Sequence, residues 1–175
     1  MNYSVAVKTA AAAEPITLDE AKLHLRVDID DEDLLIEGLI AAAREWCENY
    51  TRRSFVQRTL ELRLDCFPAA IKLPRGPIIS VTTVKYLDQG GTLQTVSASD
   101  YQTDLYSVPG RVMPIFGGVW PPPKYGSLNA VVVEYEAGYA HGAGSPTELA
   151  ENVPSAIKSA MKLMIGHWFQ NRESV

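Results

Sequence analysis

No stretch of this 175-residue chain holds about 18 consecutive apolar residues, so no membrane-spanning helix is expected. The opening Met1-Asn2-Tyr3-Ser4-Val5-Ala6-Val7-Lys8 has no basic run followed by an apolar one, and Ala10 to Ala13 is too short to supply it. A cleaved secretion signal is therefore not expected. Cysteine is scarce: Cys47 and Cys66 have no second cysteine or histidine at metal-ligand spacing, and both read as small buried hydrophobes in a reducing compartment. Histidine is equally scarce, with His24, His141 and His167 scattered along the chain. There is no Gly-x-Ser-x-Gly elbow, so a hydrolase triad has no frame. The Gly142-Ala143-Gly144 stretch lacks the Lys-Ser/Thr of a phosphate loop and the helix of a dinucleotide fingerprint, and reads as a flexible connection. A basic footprint for gripping DNA is also missing. The net charge is −5, and residues 1–56 carry six basic against eleven acidic residues while the remainder is balanced. That acidic end either repels a phosphate backbone or simply keeps the protein soluble.

What is present is a change of period. Thr17-Leu18-Asp19-Glu20 forms a capping box, in which hydroxyl and carboxylate reciprocally satisfy two orphan N–H groups. It opens a short helix over about 17–26, with Leu18, Ala21 and Leu25 on one face. Asp28-Ile29-Asp30-Asp31-Glu32-Asp33 then places five carboxylates in six residues. Asp28, Asp30 and Glu32 fit the first slots of a calcium loop. The sixth position, which needs glycine, is Asp33, and the twelfth, which needs glutamate, is Leu39, so no metal site is expected. The run reads instead as a helix start, with Asp30 or Asp31 at the N-cap.

A second helix spans about 32–52. Leu35, Leu39, Ala42, Trp46 and Tyr50 form one stripe, and Ile36, Ile40, Ala43 and Cys47 widen it. Such breadth suits a helix packed on two sides, or one central to its own domain. From Gln57 the period becomes 2: Leu60, Leu62 and Leu64 alternate with Glu61, Arg63 and Asp65. Residues 78–87 are β-branched, Asp88-Gln89-Gly90-Gly91 reverses the chain, and Thr92 to Val96 pairs back. Weaker strands are expected at 100–106 and 110–115. A strong one runs over 128–137, with Val131, Val133 and Tyr135 on one face and Glu134 and Glu136 toward solvent. Tyr139 is placed to fix the turn that follows. Residues 1–13 are either a mobile arm or an edge strand. The last helix starts near Pro154, with Ile157, Ala160, Met161, Met164, Ile165 and Trp168 as its apolar face.

The fold class that follows is α+β, with the N-terminal helices and the C-terminal helix packed together around an inserted antiparallel β element. The expected segments are 1–56 (arm and two helices), 57–138 (β insertion) and 139–175 (loop and last helix). No catalytic residue, cofactor-binding residue or metal ligand is assigned. Candidate contact residues are Leu35, Leu39, Trp46 and Tyr50 on the second helix, Trp120 beside Pro121-Pro122-Pro123, and Trp168 near the end. The two tryptophans are either packed on their own domain or exposed as contact residues.

Pro15-Ile16-Thr17-Leu18-Asp19-Glu20-Ala21-Lys22, Leu25-Arg26-Val27-Asp28, the stretch from Asp31 to Thr51, Tyr135 to Tyr139 and Val153 to Lys158 occur in an order that resembles the head–tail connector proteins of tailed bacteriophages. Trp168-Phe169-Gln170-Asn171-Arg172-Glu173 adds to the likeness with the longer members, which carry a β insertion. The resemblance implies a structural protein of a phage or prophage, without catalytic residues or cofactor. It also implies a ring, commonly of about twelve subunits, beneath the portal at the head–tail junction. Its partners would be further copies of itself, the portal and a stopper or tail-completion protein, with DNA passing through unread, no membrane, and assembly in the host cytoplasm. An interaction module unrelated to phage and a ligand-binding or enzymatic domain are the rival classes.

Overall fold

A computed structural model describes residues 3–11, 13–139, 148 and 151–171. Among the described residues, three helices of eight residues or more and two antiparallel sheets make an α+β fold. The chain divides into two compact units: residues 1–10 with 58–138, and residues 11–57 with 139–175.

The first unit is built of strands, with a single 3-10 turn at Ala98–Asp100 among its described residues. A five-stranded sheet has the order β1-β2-β8-β4-β5, built from β1 (Tyr3–Thr9), β2 (Arg58–Leu64), β8 (Val131–Ala137), β4 (Ile78–Leu87) and β5 (Leu93–Thr95). The N-terminal segment is thus an edge strand, pairing Tyr3 with Leu64 and Val7 with Leu60. A second sheet of three strands joins β3 (Ile71–Leu73), β7 (Gly110–Pro114) and β6 (Tyr101–Asp104) in that order. Both sheets cover one core, in which Leu60, Leu62, Val131, Val133 and Tyr135 meet Ile71, Leu73 and Val112. The alternation expected for β2 and β8 is observed, and each such fully buried side chain contributes roughly 1.5–3 kcal/mol. The Tyr135 hydroxyl donates to the Pro74 carbonyl at 2.8 Å, which satisfies the one polar atom this ring carries into the core.

The β4–β5 hairpin forms where the glycines predict it. Gly91 takes φ +84°, and the Asp88 carboxylate accepts the Thr92 N–H at 2.9 Å. Strand β3 was not anticipated. It is three residues between two prolines, too short to show a period, and it exists because Ile71 pairs opposite Val112. Two solvent assignments are corrected. Glu134 lies half-buried between the Lys8 and Lys85 ammonium groups, at 2.7 and 3.3 Å, and Glu136 accepts from the Ser80 hydroxyl at 3.3 Å. Cys66 is exposed rather than buried.

The second unit holds α1 (Leu18–Leu25), α2 (Asp33–Thr51) and α3 (Ser155–Gln170), packed around Ile16, Ile36, Ile40, Ala43, Phe55, Met161 and Ile165. The capping box is present in full: Thr17 Oγ1 accepts the Glu20 N–H at 3.1 Å, and a Glu20 carboxylate oxygen accepts the Thr17 N–H at 3.3 Å. Neither Asp30 nor Asp31 caps α2. Its N-cap is Glu32, with no side-chain cap bond. The Lys22 ammonium donates instead to Asp30 and to Asp33, both at 2.7 Å, and ties the last turn of α1 to the start of α2. Those two carboxylates, Asp30 first, raise the lysine well above its ordinary pKa. No helix among the described residues is long and apolar enough to cross a membrane.

Candidate assembly surface

Helix α2 carries two apolar stripes side by side, and packing separates them. Ile36, Ile40, Ala43 and Cys47, spaced four, three and four apart, are buried against α1 and α3. The side facing away is a single row at spacing four: Leu34, Gly38, Ala42, Trp46 and Tyr50, all exposed. Leu34 is 85% exposed, Trp46 51% and Tyr50 77%. Residues i and i+4 form one ridge of a helix surface. This ridge is high at both ends and low in the middle. At one end Leu34 stands beside the exposed Leu35. At the other, the Trp46 and Tyr50 rings stack with centroids 5.1 Å apart and planes 6° from parallel. Between them, nothing among the described residues lies within 4 Å of where a Cβ on Gly38 would sit.

The six candidate residues therefore separate. Leu35, Trp46 and Tyr50 lie together on the exposed side of α2. Leu39 and Trp168 are half-buried against the helical core. Trp120 is half-buried in the β unit, stacked on Phe67 with centroids 4.6 Å apart, and its buried indole N–H has no acceptor among the described residues. Leu34 and Gly38 escaped notice, although their spacing of four from Ala42 was readable. On α3, Ala160 is exposed rather than part of the apolar face, and Leu163 stands 68% exposed beside it.

The charges around the ridge are not balanced. Glu37 is exposed, but Arg44 turns inward and donates to Glu14 at 2.7 Å and to Glu48 at 3.2 Å. The α2 surface beside the ridge is left acidic, with Glu37 and Glu45. In the second unit Tyr139 is tied to the segment after α2, while the turn it was expected to fix lies outside the described residues. Its N–H donates to the Phe55 carbonyl at 3.0 Å, and its hydroxyl accepts from Arg53 at 3.1 Å.

Among the described residues, open concavities lie on the β unit. One of about 380 Å³ is lined by Leu64, Pro74 and Pro109 with Lys72 as its charged residue; another, of about 480 Å³, lies beside Trp120 with Asp100 as its charged residue. Neither wall brings a nucleophile, a base and an orienting group together. His24 and His167 are exposed on their helices, while His141, the 142–144 loop and Arg172 lie outside the described residues.

Residues 15–105 match the Phage gp6-like head-tail connector protein family. The chain belongs to that family. It is a structural connector protein, of viral type, and the match spans α1, α2 and the strands from β2 to β6. Three solved structures share this connector's fold. They are described as the neck of an empty GTA particle computed with C6 symmetry (TM-score 0.77, 21% identity), the virion of a native gene transfer agent (GTA) particle (0.79, 20%) and the neck of a native GTA particle computed with C12 symmetry (0.72, 20%). Each comparison covers 98% of this chain and 86% of the other. No curated protein matches the chain.

Proposed function

We propose that this connector forms a closed ring, of about twelve copies, in the neck of a phage-type particle. It docks beneath the portal, joins the DNA-filled head to the tail and lengthens the DNA channel. The observation that carries the reading is the exposed apolar ridge of α2 in a chain of the connector family. A helix of a solitary domain buries its apolar stripe; this one buries one stripe and leaves a second, with a stacked Trp–Tyr pair, in water. The fold likeness to neck structures computed with C6 and C12 symmetry supports the ring and its size. The protein's partners are further copies of itself, the portal and a stopper or tail-completion protein. Its work is mechanical and needs no cofactor or metal. DNA passes without sequence-specific contact, in keeping with the acidic balance of residues 1–56, since bound phosphates need basic partners. It acts in the virion, having assembled in the host cytoplasm.

Negative-stain microscopy and native mass spectrometry of the chain, alone and with the portal encoded beside it, test this. Rings are the expected result. A chain that stays monomeric with that portal at every concentration overturns the reading.

A further inference from the structure

We infer that the Phe116 turn of one copy seats in the concavity lined by Tyr3, Leu64, Pro74 and Pro109 of the next, joining the β units head to tail. The inference rests on the ring reading above and names one of its contacts.

The knob is apolar and held out by a specified turn. Phe116 is fully exposed, and Val119 stands nearly as free. The Gly118 N–H donates to the Ile115 carbonyl at 2.9 Å, and Gly117 takes φ +77°. A Cβ on Gly118 would come within 3.1 Å of that carbonyl oxygen. The turn thus favours glycine at both positions and presents Phe116 on a defined backbone. The socket, of about 380 Å³, is apolar on every wall except at Lys72. That volume lies in the range of small-ligand pockets, roughly 300–1,000 Å³. It admits an aromatic ring, which buries about 150–250 Å² in such a place.

Knob and socket cannot meet within one copy. Tyr3 pairs with Leu64, Leu64 with Val131 and Val131 with Tyr86, so one row crosses four strands of the large sheet. The socket lies at the β1 end of that row, against Tyr3 and Leu64. The concavity walled by Ile115, Gly118 and Val119 of the knob's turn lies at the β4 end, against Tyr86. Strand β7 gives the same placement: Pro109 before it lines the socket, and Ile115 after it leads into the knob, roughly 20 Å along a strand. The two features therefore lie at opposite sides of one unit and at one level of its sheet. A contact that joins them is heterologous, and its repetition generates a ring when the rotation closes.

Charge selects the pairing. Lys72 lines the socket, and Asp100, whose carbonyl accepts the Ile115 N–H at 3.2 Å, lines the concavity beside the knob. Neither has an ion-pair partner among the described residues. Arg111, directly across from Lys72, is engaged by Asp104 at 2.6 Å. Knob against knob would set Asp100 beside its own copy, and socket against socket would do the same to Lys72. Knob in socket brings Asp100 to Lys72 instead.

The test uses the full chain under conditions where the wild type forms rings. Phe116→Ser alters a fully exposed side chain, so its melting temperature should be unchanged while ring formation is lost. Lys72→Glu should abolish rings, and so should Asp100→Lys. The two reversals in one chain should restore them, because every contact then joins opposite charges again. On a Cys66→Ser background, oxidised Ala70→Cys/Phe116→Cys should run as a ladder of covalent oligomers, since Ala70 lines the socket, and each single cysteine variant should not. Rings from Phe116→Ser and from both reversals, or a ladder missing from the double-cysteine variant, overturn the inference and leave the ring standing. Copies that crosslink through Phe116→Cys alone overturn it in favour of a knob–knob contact. Crosslinking of Phe116→Cys to the portal overturns it in favour of a portal contact. A wild type that never assembles with its portal removes the ring and the socket together.

Discussion

Glu48 accepts the backbone N–H of Phe55 at 2.7 Å, across the end of α2 and the turn that follows. The carboxylate is buried, at 2% exposure, and also takes a hydrogen bond from Arg44. One side chain thus closes the helix end, neutralises a half-buried guanidinium and orients the Phe55 ring toward the core. Glu48→Ala leaves Arg44 with less compensation and the Phe55 N–H without its acceptor. A loss of about 3–5 kcal/mol is expected, as for other broken buried pairs. Denaturant unfolding measures it, and a loss under about 1 kcal/mol would show that water replaces the carboxylate without penalty.

The capping box gives a smaller and cleaner effect. Thr17→Ala removes the acceptor for the Glu20 N–H, and about 1 kcal/mol of stability should go with it. Thr17→Ser keeps the hydroxyl and should retain most of that. Equal losses in the two variants would mean that the methyl group's packing matters, not the cap.

The two thiols should differ in reactivity. Cys47 is buried with its sulfur 3.5 Å from that of Met164, and burial, aided by the charge of Glu48, pushes its pKa up. Cys66 is exposed. Brief alkylation at mildly alkaline pH should label Cys66 alone, and Cys47 should react only in denaturant. Peptide mass mapping reads both, and equal labelling of the native protein would contradict the burial of Cys47.

Acid should loosen the β unit. Glu134 is held below its ordinary pKa of 4.5, first by the Lys8 hydrogen bond and further by Lys85, against a partial offset from burial. A carboxylate lowered on folding contributes fully above its unfolded pKa and loses that contribution as pH falls through the lowered value. Asp88 and Asp104 of the same unit, and Asp30 of the helical unit, are lowered in the same sense. The melting temperature should therefore fall as pH drops below the ordinary carboxylate range. Glu134→Gln should start lower at neutral pH and lose less on acidification. Identical pH profiles for the two proteins would show that the Lys8–Glu134 pair does not help hold β1 to its sheet.

The amino-acid sequence by itself determined whatever depends on near neighbours. The capping box at Thr17, the alternation of Leu60, Leu62 and Leu64, the Asp88–Gly91 reversal and the inward face of Val131, Val133 and Tyr135 were all legible there. Each is specified within a few residues, by a local hydrogen bond, a period or a permissive backbone. The resemblance that named the connector family was legible for the same reason, as an ordered series of local signatures.

Only the tertiary structure decided the rest. Whether residues 3–9 are arm or strand depends on β2, some fifty residues away, offering Leu60 to Leu64 as partners. Strand β3 exists through Val112, and Glu134 is half-buried because Lys85 reaches it from the neighbouring β4 and Lys8 from β1, across β2. On α2 the sequence shows two adjacent apolar stripes of similar strength. Packing against α1 and α3 consumes the one with Ile36, Ile40, Ala43 and Cys47, and leaves Leu34, Trp46 and Tyr50 in water. Periodicity records that a face is apolar, but burial is a property of two surfaces, and the second surface comes from elsewhere in the chain.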